Sequence, residues 1–276
     1  DKLKIVYGQK LVDLEKFVQY YGLAVVKQAT TFNFKQLKGK NSCHTGVGKT
    51  VGWKIPVGYL LFTKEMAFTD NQYKSTADFF NKSCAPGSKA LKDVSEEVKT
   101  DLCSLLNGSC EFADTEPYSN YQGAFKCMAD GNNDRVAFVR QTTAAAVFAA
   151  YPVKYGSASD YKLLCTDGTT KGLNEYLSCF IDKRPAYALV TNVDTADTMV
   201  TAMQGILNAA NVTLLKTGKI VSSNFDKFEP YTDTVKKYVG DYGDHFNALS
   251  GPNAAPSIVV SLVLQISAIF AFVLLV

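Results

Sequence analysis

Apolar residues follow two different periods near the start of the chain. Over residues 11–19 they recur at a helical spacing, which predicts a short helix with one buried face. Residues 20–26 instead form a continuous aromatic and β-branched run, which predicts a buried strand. The change of period marks a boundary between two elements.

Later segments keep alternating between the two periods. Apolar runs at 136–139 and 186–190 predict strands, and helical spacings appear near 140–150 and 195–210. A charged stretch from residue 89 to 106 also has a helix-like pattern. The alternation predicts an α/β fold with mixed sheets.

The stretch 42–53, SCHTGVGKTVGW, has the features of a strand end that turns into a helix. Thr45 can accept a hydrogen bond from a free helix N–H group, and Gly46 and Gly48 allow the backbone to approach a ligand closely. Lys49 adds a full positive charge to the positive end of the helix dipole. The stretch therefore predicts an anion-binding turn.

Two alternatives to this anion turn stay open. Gly48-Lys49-Thr50 matches the end of a nucleotide-binding P-loop, but Cys43 stands where the leading glycine of that motif belongs. The other alternative is an ordinary helix start, capped by Thr45, with no ligand.

Composition restricts the classes of function. The 276 residues are 47% hydrophobic and 20% charged, which is typical of a globular protein and argues against general disorder. A net charge of +3, with no basic run interleaved with aromatic residues, argues against a nucleic-acid partner. The chain has two histidines and no G-x-S-x-G motif, so we expect no hydrolase and no other enzyme.

Cysteines and glycosylation sequons indicate an oxidising, glycosylating compartment. Seven cysteines are present without any C-x-x-C pair, which argues against zinc-finger or redox spacing. The odd count leaves at least one cysteine free or paired outside this chain. The sequons begin at Asn81, Asn107 and Asn211.

The last nineteen residues, 258–276, are uncharged and almost wholly apolar. Small residues and a short polar spacer precede them, which is the layout of a GPI-attachment signal over 247–276. The alternative is a tail-ended transmembrane helix, since the run could barely span a bilayer. The candidate attachment residues are Asn247, Ser250, Gly251 and Asn253.

Four sequence blocks resemble the transferrin family and occur in the family's order. They are residues 42–58, 79–87, 123–127 and 136–139. The resemblance implies a transferrin-like, periplasmic-binding-protein-like α/β lobe over residues 1–246, built of two mixed-sheet subdomains joined by hinge strands. It places the second subdomain at about 22–185 and implies that the family's first segment is missing.

The resemblance also implies a set of metal ligands. Ferric iron prefers anionic oxygen donors, and Tyr20 and Tyr121 match the two tyrosine ligands of the family. Tyr187 stands where the family has a histidine ligand, so it would supply a third phenolate. The aspartate ligand belongs to the segment that has no counterpart in this chain.

The family's carbonate site is implied at the anion turn. Thr45 and Lys49 match the pair of side chains that holds the anion, and we expect the backbone N–H groups of Val47 and Gly48 to complete the pocket. Lys49 replaces the usual arginine, so a single flexible ammonium replaces a planar fork. Arg140 stands in place of a lysine of the acid-sensitive pair, which argues against such a trigger.

Disulfide pairing follows from the resemblance as well; spacing alone would allow other pairings. The implied bonds join Cys43 to Cys127, Cys103 to Cys110 and Cys165 to Cys179, which leaves Cys84 unpaired.

The resemblance implies a protein that binds ferric iron with bicarbonate. Together with the tail over 247–276, it predicts a protein on the extracellular face of the plasma membrane, attached by a GPI anchor. We expect this lobe to bind iron weakly or not at all. The alternative is an iron-independent adhesion or scaffolding protein that retains the fold. The sequence does not identify a receptor.

Overall fold

The computed structural model describes residues 2–106 and 108–252, in which strands and helices alternate along most of the chain. The strands are β1 (Leu3–Leu11), β2 (Val18–Lys27), β3 (Asn41–His44), β4 (Lys82–Cys84), β5 (Arg135–Arg140), β6 (Tyr161–Leu164), β7 (Thr170–Lys171), β8 (Asp182–Pro185), β9 (Ala188–Asn192) and β10 (Phe225–Pro230).

The helices lie mostly between these strands. They are α1 (Ile55–Phe62), α2 (Gln72–Phe79), α3 (Glu96–Leu102), α4 (Asn120–Ala129), α5 (Thr143–Ala150), α6 (Pro152–Tyr155), α7 (Asp197–Ala209), α8 (Val212–Thr217), α9 (Val235–Val239) and α10 (Asp241–Ala248). The mixed α/β class predicted from the sequence is confirmed. Of the charged stretch 89–106, only α3 is α-helical.

The chain forms two compact units. Unit 1 contains the described residues up to Gln19 together with Pro185–Gly243. Unit 2 contains Tyr20–Arg184 and the described residues from Asp244 onward. Within the described residues the chain therefore passes between the units three times, after Gln19, after Arg184 and after Gly243.

Unit 1 is built on a three-stranded antiparallel sheet in the order β10-β1-β9, counted over the described residues. Its small core includes Ile5, Tyr238 and Val239. Helix α7 contacts β1 and β10 but has no buried residue. Unit 1 thus rests on modest apolar burial.

Unit 2 contains a mixed sheet whose described strands run in the order β4-β3-β5-β2-β6-β7, with β8 also paired to β2. Strands β4, β3 and β5 are parallel, so their carboxyl ends lie along one edge. Strand β2 is antiparallel to β5, with Gly22 opposite Arg140. The start of β2, where Tyr20 lies, therefore reaches the same edge as the end of β5.

The helix predicted over residues 11–19 is wrong. Strand β1 continues to Leu11 and β2 begins at Val18, so only a connecting turn lies between them. Asp13 and Phe17 adopt left-handed φ values of 60° and 63°, which a helix cannot contain. The ring centroids of Phe17 and Tyr238 lie 5.3 Å apart. Phe17 is therefore apolar because it packs on Tyr238, and its position matched a helical spacing without a helix.

The strand predicted at 186–190 is also interrupted. Strand β8 ends at Pro185 and β9 begins at Ala188, so the two intervening residues connect different sheets. The strand predicted over 20–26 is confirmed within β2, and that over 136–139 within β5.

Helix α10 docks on α1 inside unit 2. The His245 ring nitrogen Nδ1 lies 2.6 Å from Asp182 Oδ2, and both side chains are buried. Gly58 in α1 has no room for a Cβ because the backbone carbonyl of His245 lies against it. The Lys54 ammonium lies 5.0 Å from the ring centroid of Phe246. Close backbone contact and a buried polar pair therefore hold α10 in place.

Three disulfides are present in the described part of the chain. They join Cys43 to Cys127, Cys103 to Cys110 and Cys165 to Cys179. These bonds agree with the pairing that the resemblance implied, and Cys84 is the free cysteine. Cys84 is fully buried in β4, opposite Cys43 of β3.

None of the described helices combines the length and apolar character needed to cross a bilayer. The apolar run 258–276 and the candidate attachment residue Asn253 lie outside the described residues.

We predict that Cys84 resists alkylation in the folded protein. Burial raises the pKa of its thiol, which removes the reactive thiolate as well as access. Iodoacetamide followed by mass spectrometry should label no cysteine in native protein and Cys84 alone after denaturation without reductant. A peptide in which Cys84 is bonded to Cys103 would contradict the pairing.

Candidate functional site

The anion turn leads from β3 into α1 through a π-helical turn, Thr50–Lys54. Lys49 is the last extended residue before this turn. The N–H groups of Trp53 and Lys54 are the first to bond back, both to the Lys49 carbonyl at 3.0 and 2.9 Å. The N–H groups of residues 50–52 therefore lie at the open end of the helix.

The expected contribution of Val47 to this pocket is wrong. Its N–H donates to the Pro86 carbonyl at 2.9 Å, so it is not available to an anion. Gly48 has a left-handed φ of 70° and lies before the helix start, so its N–H group is not one of those at the open helix end. The helix begins later than the turn's glycines suggest, which moves the open N–H groups to residues 50–52.

Thr45 lies directly against the start of the helix. A Cβ on Gly52 would clash with the Thr45 hydroxyl, so only glycine fits there. Thr45 is itself buried. The Thr45 hydroxyl therefore lies next to the open end of the helix.

A chain of buried hydrogen bonds fixes this arrangement. The Gly52 carbonyl can only accept, so His44 Nδ1 carries the proton and donates to it at 2.7 Å. His44 Nε2 then accepts from the Ser42 hydroxyl at 3.0 Å, and Ser42 accepts from Ser83 at 2.8 Å. These hydrogen bonds connect β4, β3 and the first turn of the helix.

His44 is held neutral by its surroundings. Burial lowers the pKa of the imidazole to about 4, and the hydrogen bond to Gly52 opposes that shift only in part. The rings of Trp53 and Phe138 lie 5.0 and 5.2 Å away. The histidine is thus a structural hydrogen-bond donor of the turn.

The Lys49 ammonium rests on an aromatic ring. Its Nζ lies 3.6 Å from the ring centroid of Phe112, and Gly46, with φ of 149°, lies against the same ring. Among the described residues, Lys49 makes no side-chain hydrogen bond and no ion pair. The ring therefore holds the cation without neutralising it.

Tyr20 and Tyr121 come together beside the turn, with ring centroids 6.4 Å apart. Tyr121 follows Asn120, whose N–H donates to the Thr45 carbonyl at 3.0 Å. Asn120 has φ of 64°, a conformation that asparagine tolerates better than most residues. Helix α4 is tied to β3 again at Cys127 through the disulfide to Cys43.

Two guanidinium groups surround the phenols. The Arg140 Cζ lies 4.5 Å from the ring centroid of Tyr121 and 5.1 Å from that of Tyr20. The Arg184 Cζ lies 5.7 Å from the Tyr20 ring. Burial and the charge of Arg184 lower the pKa of Lys54. The phenols therefore lie in a strongly basic environment.

Tyr187 belongs to unit 1, unlike Tyr20 and Tyr121, which belong to unit 2. Its backbone carbonyl accepts from the Gln9 N–H at 2.9 Å. Among residues 2–106 and 108–252, no group of three or more His, Cys, Asp or Glu side chains is arranged to hold a metal ion. The residues of unit 2 that match a ferric site are thus two phenols and the anion turn.

Sequence reasoning missed several residues of this site. Four residues of the site were not predicted, because the sequence around each does not indicate what it contacts. They are Arg184, Phe112, Asn120 and Gly52. Phe112 contacts Lys49 from the segment that follows the disulfide between Cys103 and Cys110. The spacing of residues along the sequence does not predict that contact. Only Gly52 carried a signal, as a glycine within the first helical turn.

We predict that His44 makes the protein acid-sensitive. Its pKa of about 4 in the folded state lies below the ordinary 6.5, so the unfolded chain binds more protons between these values. Its contribution is complete above pH 6.5 and is lost progressively as the pH falls to 4. The loss amounts to about 3 kcal/mol.

Denaturant unfolding at a series of pH values checks this. His44→Gln should be destabilised at pH 7, because the bond to Gly52 weakens, and should lose less stability than wild type between pH 6.5 and 4. Identical slopes for the two proteins would refute the assignment.

Known proteins provide an independent comparison. The family model described as Transferrin matches residues 3–239. The chain is 42% identical to "Serotransferrin" of Gadus morhua over 199 residues, which are 68% of this chain and 28% of that protein. It is 38% identical to "Serotransferrin" of Paralichthys olivaceus over 221 residues, 78% of this chain and 30% of that protein.

A third relative, "Serotransferrin-A" of Xenopus laevis, is 42% identical over 182 residues, 63% of this chain and 23% of that protein. The chain thus spans less than a third of the length of these relatives. The family match over residues 3–239 nevertheless covers most of the chain, and the chain belongs to the transferrin family of iron-binding and transport proteins.

Proposed function

We propose that unit 2 holds carbonate at the anion turn and binds Fe(III) weakly through Tyr20 and Tyr121. The observation that carries this proposal is the pairing of the two phenol rings, 6.4 Å apart, beside the turn. Phenolates suit a hard trivalent cation. The chain would then serve iron binding or uptake.

The anion half of the site has the better geometry. The open helix end at residues 50–52, the Thr45 hydroxyl and the Lys49 ammonium supply hydrogen bonds and positive charge to one small volume. Lys49 would bind carbonate as a point charge rather than as a bidentate fork, which weakens the contact.

The metal half is incomplete within unit 2. A ferric ion takes about six donors, and two phenolates with a bidentate carbonate supply four of them. Tyr187 would have to come from unit 1. Loss of a metal ligand costs more than the 10- to 100-fold that changes around a ligand typically cost. We therefore infer weak binding.

Arg140 opposes the metal further. Its guanidinium lies against both rings, close to where a metal bound by both phenolates would have to be. A trivalent ion about 5 Å from a guanidinium is repelled by about 2 kcal/mol even in water. This supports a second candidate function, an iron-independent adhesion or scaffolding protein that retains the fold.

We also propose that the chain is held at the cell surface by a GPI anchor, as in transferrins of the melanotransferrin kind. The support is the apolar run 258–276, preceded by small residues. Of the candidate attachment residues, Asn247 lies in α10, Ser250 is exposed, and Gly251 packs against Phe68.

Glycosylation at the sequons is part of the same proposal. Asn81 and Asn211 are both exposed, and Asn211 caps α8 through its side-chain oxygen. The amide nitrogen that would carry the glycan stays available there. Asn107 lies outside the described residues.

Iron binding is tested by visible absorption spectroscopy. We predict that the purified chain, given ferric nitrilotriacetate and bicarbonate at neutral pH, develops at most a weak tyrosinate-to-iron absorption band that excess citrate removes. The missing ligands and Arg140 are the physical reason.

Any weak band should vanish in the double variant Tyr20→Phe, Tyr121→Phe and persist in Tyr151→Phe, which removes an exposed phenol of the same unit. A strong band that survives citrate and depends on Tyr20 and Tyr121 would show a competent ferric site. A complete absence of colour would favour the iron-independent function.

Membrane attachment is tested on cells that express the chain. We predict that phosphatidylinositol-specific phospholipase C releases the protein, because a glycolipid would replace the apolar run. Retention after treatment, with a peptide from 258–276 still detectable by mass spectrometry, would favour the transmembrane alternative.

A further inference from the structure

A second helix opens at the same sheet edge as the anion turn. Strand β5 is parallel to β3 and ends at Arg140, and α5 begins three residues later at Thr143. The first N–H to bond back into α5 belongs to Ala146, which donates to the Thr142 carbonyl at 3.2 Å. The N–H groups of residues 143–145 therefore lie at an open helix end, uncapped by the Thr142 side chain.

Two buried polar groups at this helix start have no partner. The Thr143 side chain is 2% exposed, and its Oγ1 makes no hydrogen bond in the described structure. The Arg140 Nε is buried and equally unpartnered. Buried polar groups nearly always have a hydrogen-bond partner. Two buried groups without one, three residues apart, therefore indicate a missing ligand.

Arg140 is also unneutralised. Within the described residues its guanidinium makes no hydrogen bond and no ion pair, and it lies against the rings of Tyr20 and Tyr121. Ring stacking orients the planar group and leaves its edge free to donate. A pre-oriented guanidinium edge is the typical binding group for an oxyanion.

We propose that Arg140, the N-terminus of α5 and the Thr143 hydroxyl form a second oxyanion site, separate from the turn of Thr45 and Lys49. The ligand class is a small carboxylate or phosphate. Two oxygens would accept from the guanidinium, and a third contact would come from the helix N–H groups or the Thr143 hydroxyl. The site requires no iron, so it goes beyond the proposed function.

The parallel order of β3 and β5 gives this proposal its geometric basis. Ligands of mixed α/β sheets bind beyond the carboxyl ends of parallel strands, where helix N-termini collect. Strand β3 is followed by Lys49 and a helix start, and the adjacent strand β5 ends at Arg140, before α5. Each start thus combines helix N–H groups, a threonine hydroxyl and a cation.

Isothermal titration calorimetry without iron tests the site. The full chain, purified in detergent and free of bicarbonate, is titrated with sodium phosphate and separately with sodium citrate. Binding of either anion should be about tenfold weaker or worse in Arg140→Gln, because the two charged hydrogen bonds are lost. Thr143→Val, which keeps the side-chain shape, should weaken binding several-fold. The two titrations distinguish a phosphate from a carboxylate ligand.

Lys92→Gln is the matched control, since it removes one exposed positive charge from the same unit and should leave binding unchanged. Lys49→Gln should weaken bicarbonate binding more than Arg140→Gln does, and it should weaken phosphate or citrate binding less. Thermal unfolding without anions verifies that each variant is folded. Equal affinity in wild type and folded Arg140→Gln, no heat with either anion, or equal losses in Lys49→Gln and Arg140→Gln would overturn the proposal. Those results would leave the iron experiment unaffected.

Discussion

One hydrogen bond, from the His44 ring to the carbonyl of Gly52, determines where the first long helix of unit 2 begins. With that carbonyl held, Trp53 can pack on the imidazole and Thr45 can lie against Gly52. The arrangement of the turn depends on a neutral histidine, because its surroundings are too apolar for a charged one.

Around this edge, Lys49 and Arg140 rest on aromatic rings, and among the described residues neither is paired with a carboxylate. Lys49 lies on Phe112, and Arg140 lies between Tyr20 and Tyr121. A ring keeps a cation in position and leaves its charge uncompensated. Positive charge that is not paired favours anions over free trivalent cations at this edge.

Periodicity and resemblance predicted different parts of the molecule. Strong patterns gave the class, the strand within β2 and the helix α5, because buried faces impose their spacing on the sequence. The turn between Leu11 and Val18 escaped prediction because Phe17 packs from a left-handed conformation, which a hydrophobic pattern does not record. Resemblance placed Tyr20 and Tyr121 in one site and paired the cysteines correctly. It misplaced the N–H donors at Val47, since the start of a helix depends on tertiary hydrogen bonds.

Helix α10 has a mechanical role that its sequence does not suggest. It leads to residues 249–252, so a force applied to the chain at residue 252 is borne by the contact of Gly251 with Phe68 and then by α10. The Asp182–His245 pair and the close contact at Gly58 pass that force to β8 and α1, within unit 2. A load applied there would therefore reach α1, the helix that follows the π-helical turn at Thr50–Lys54.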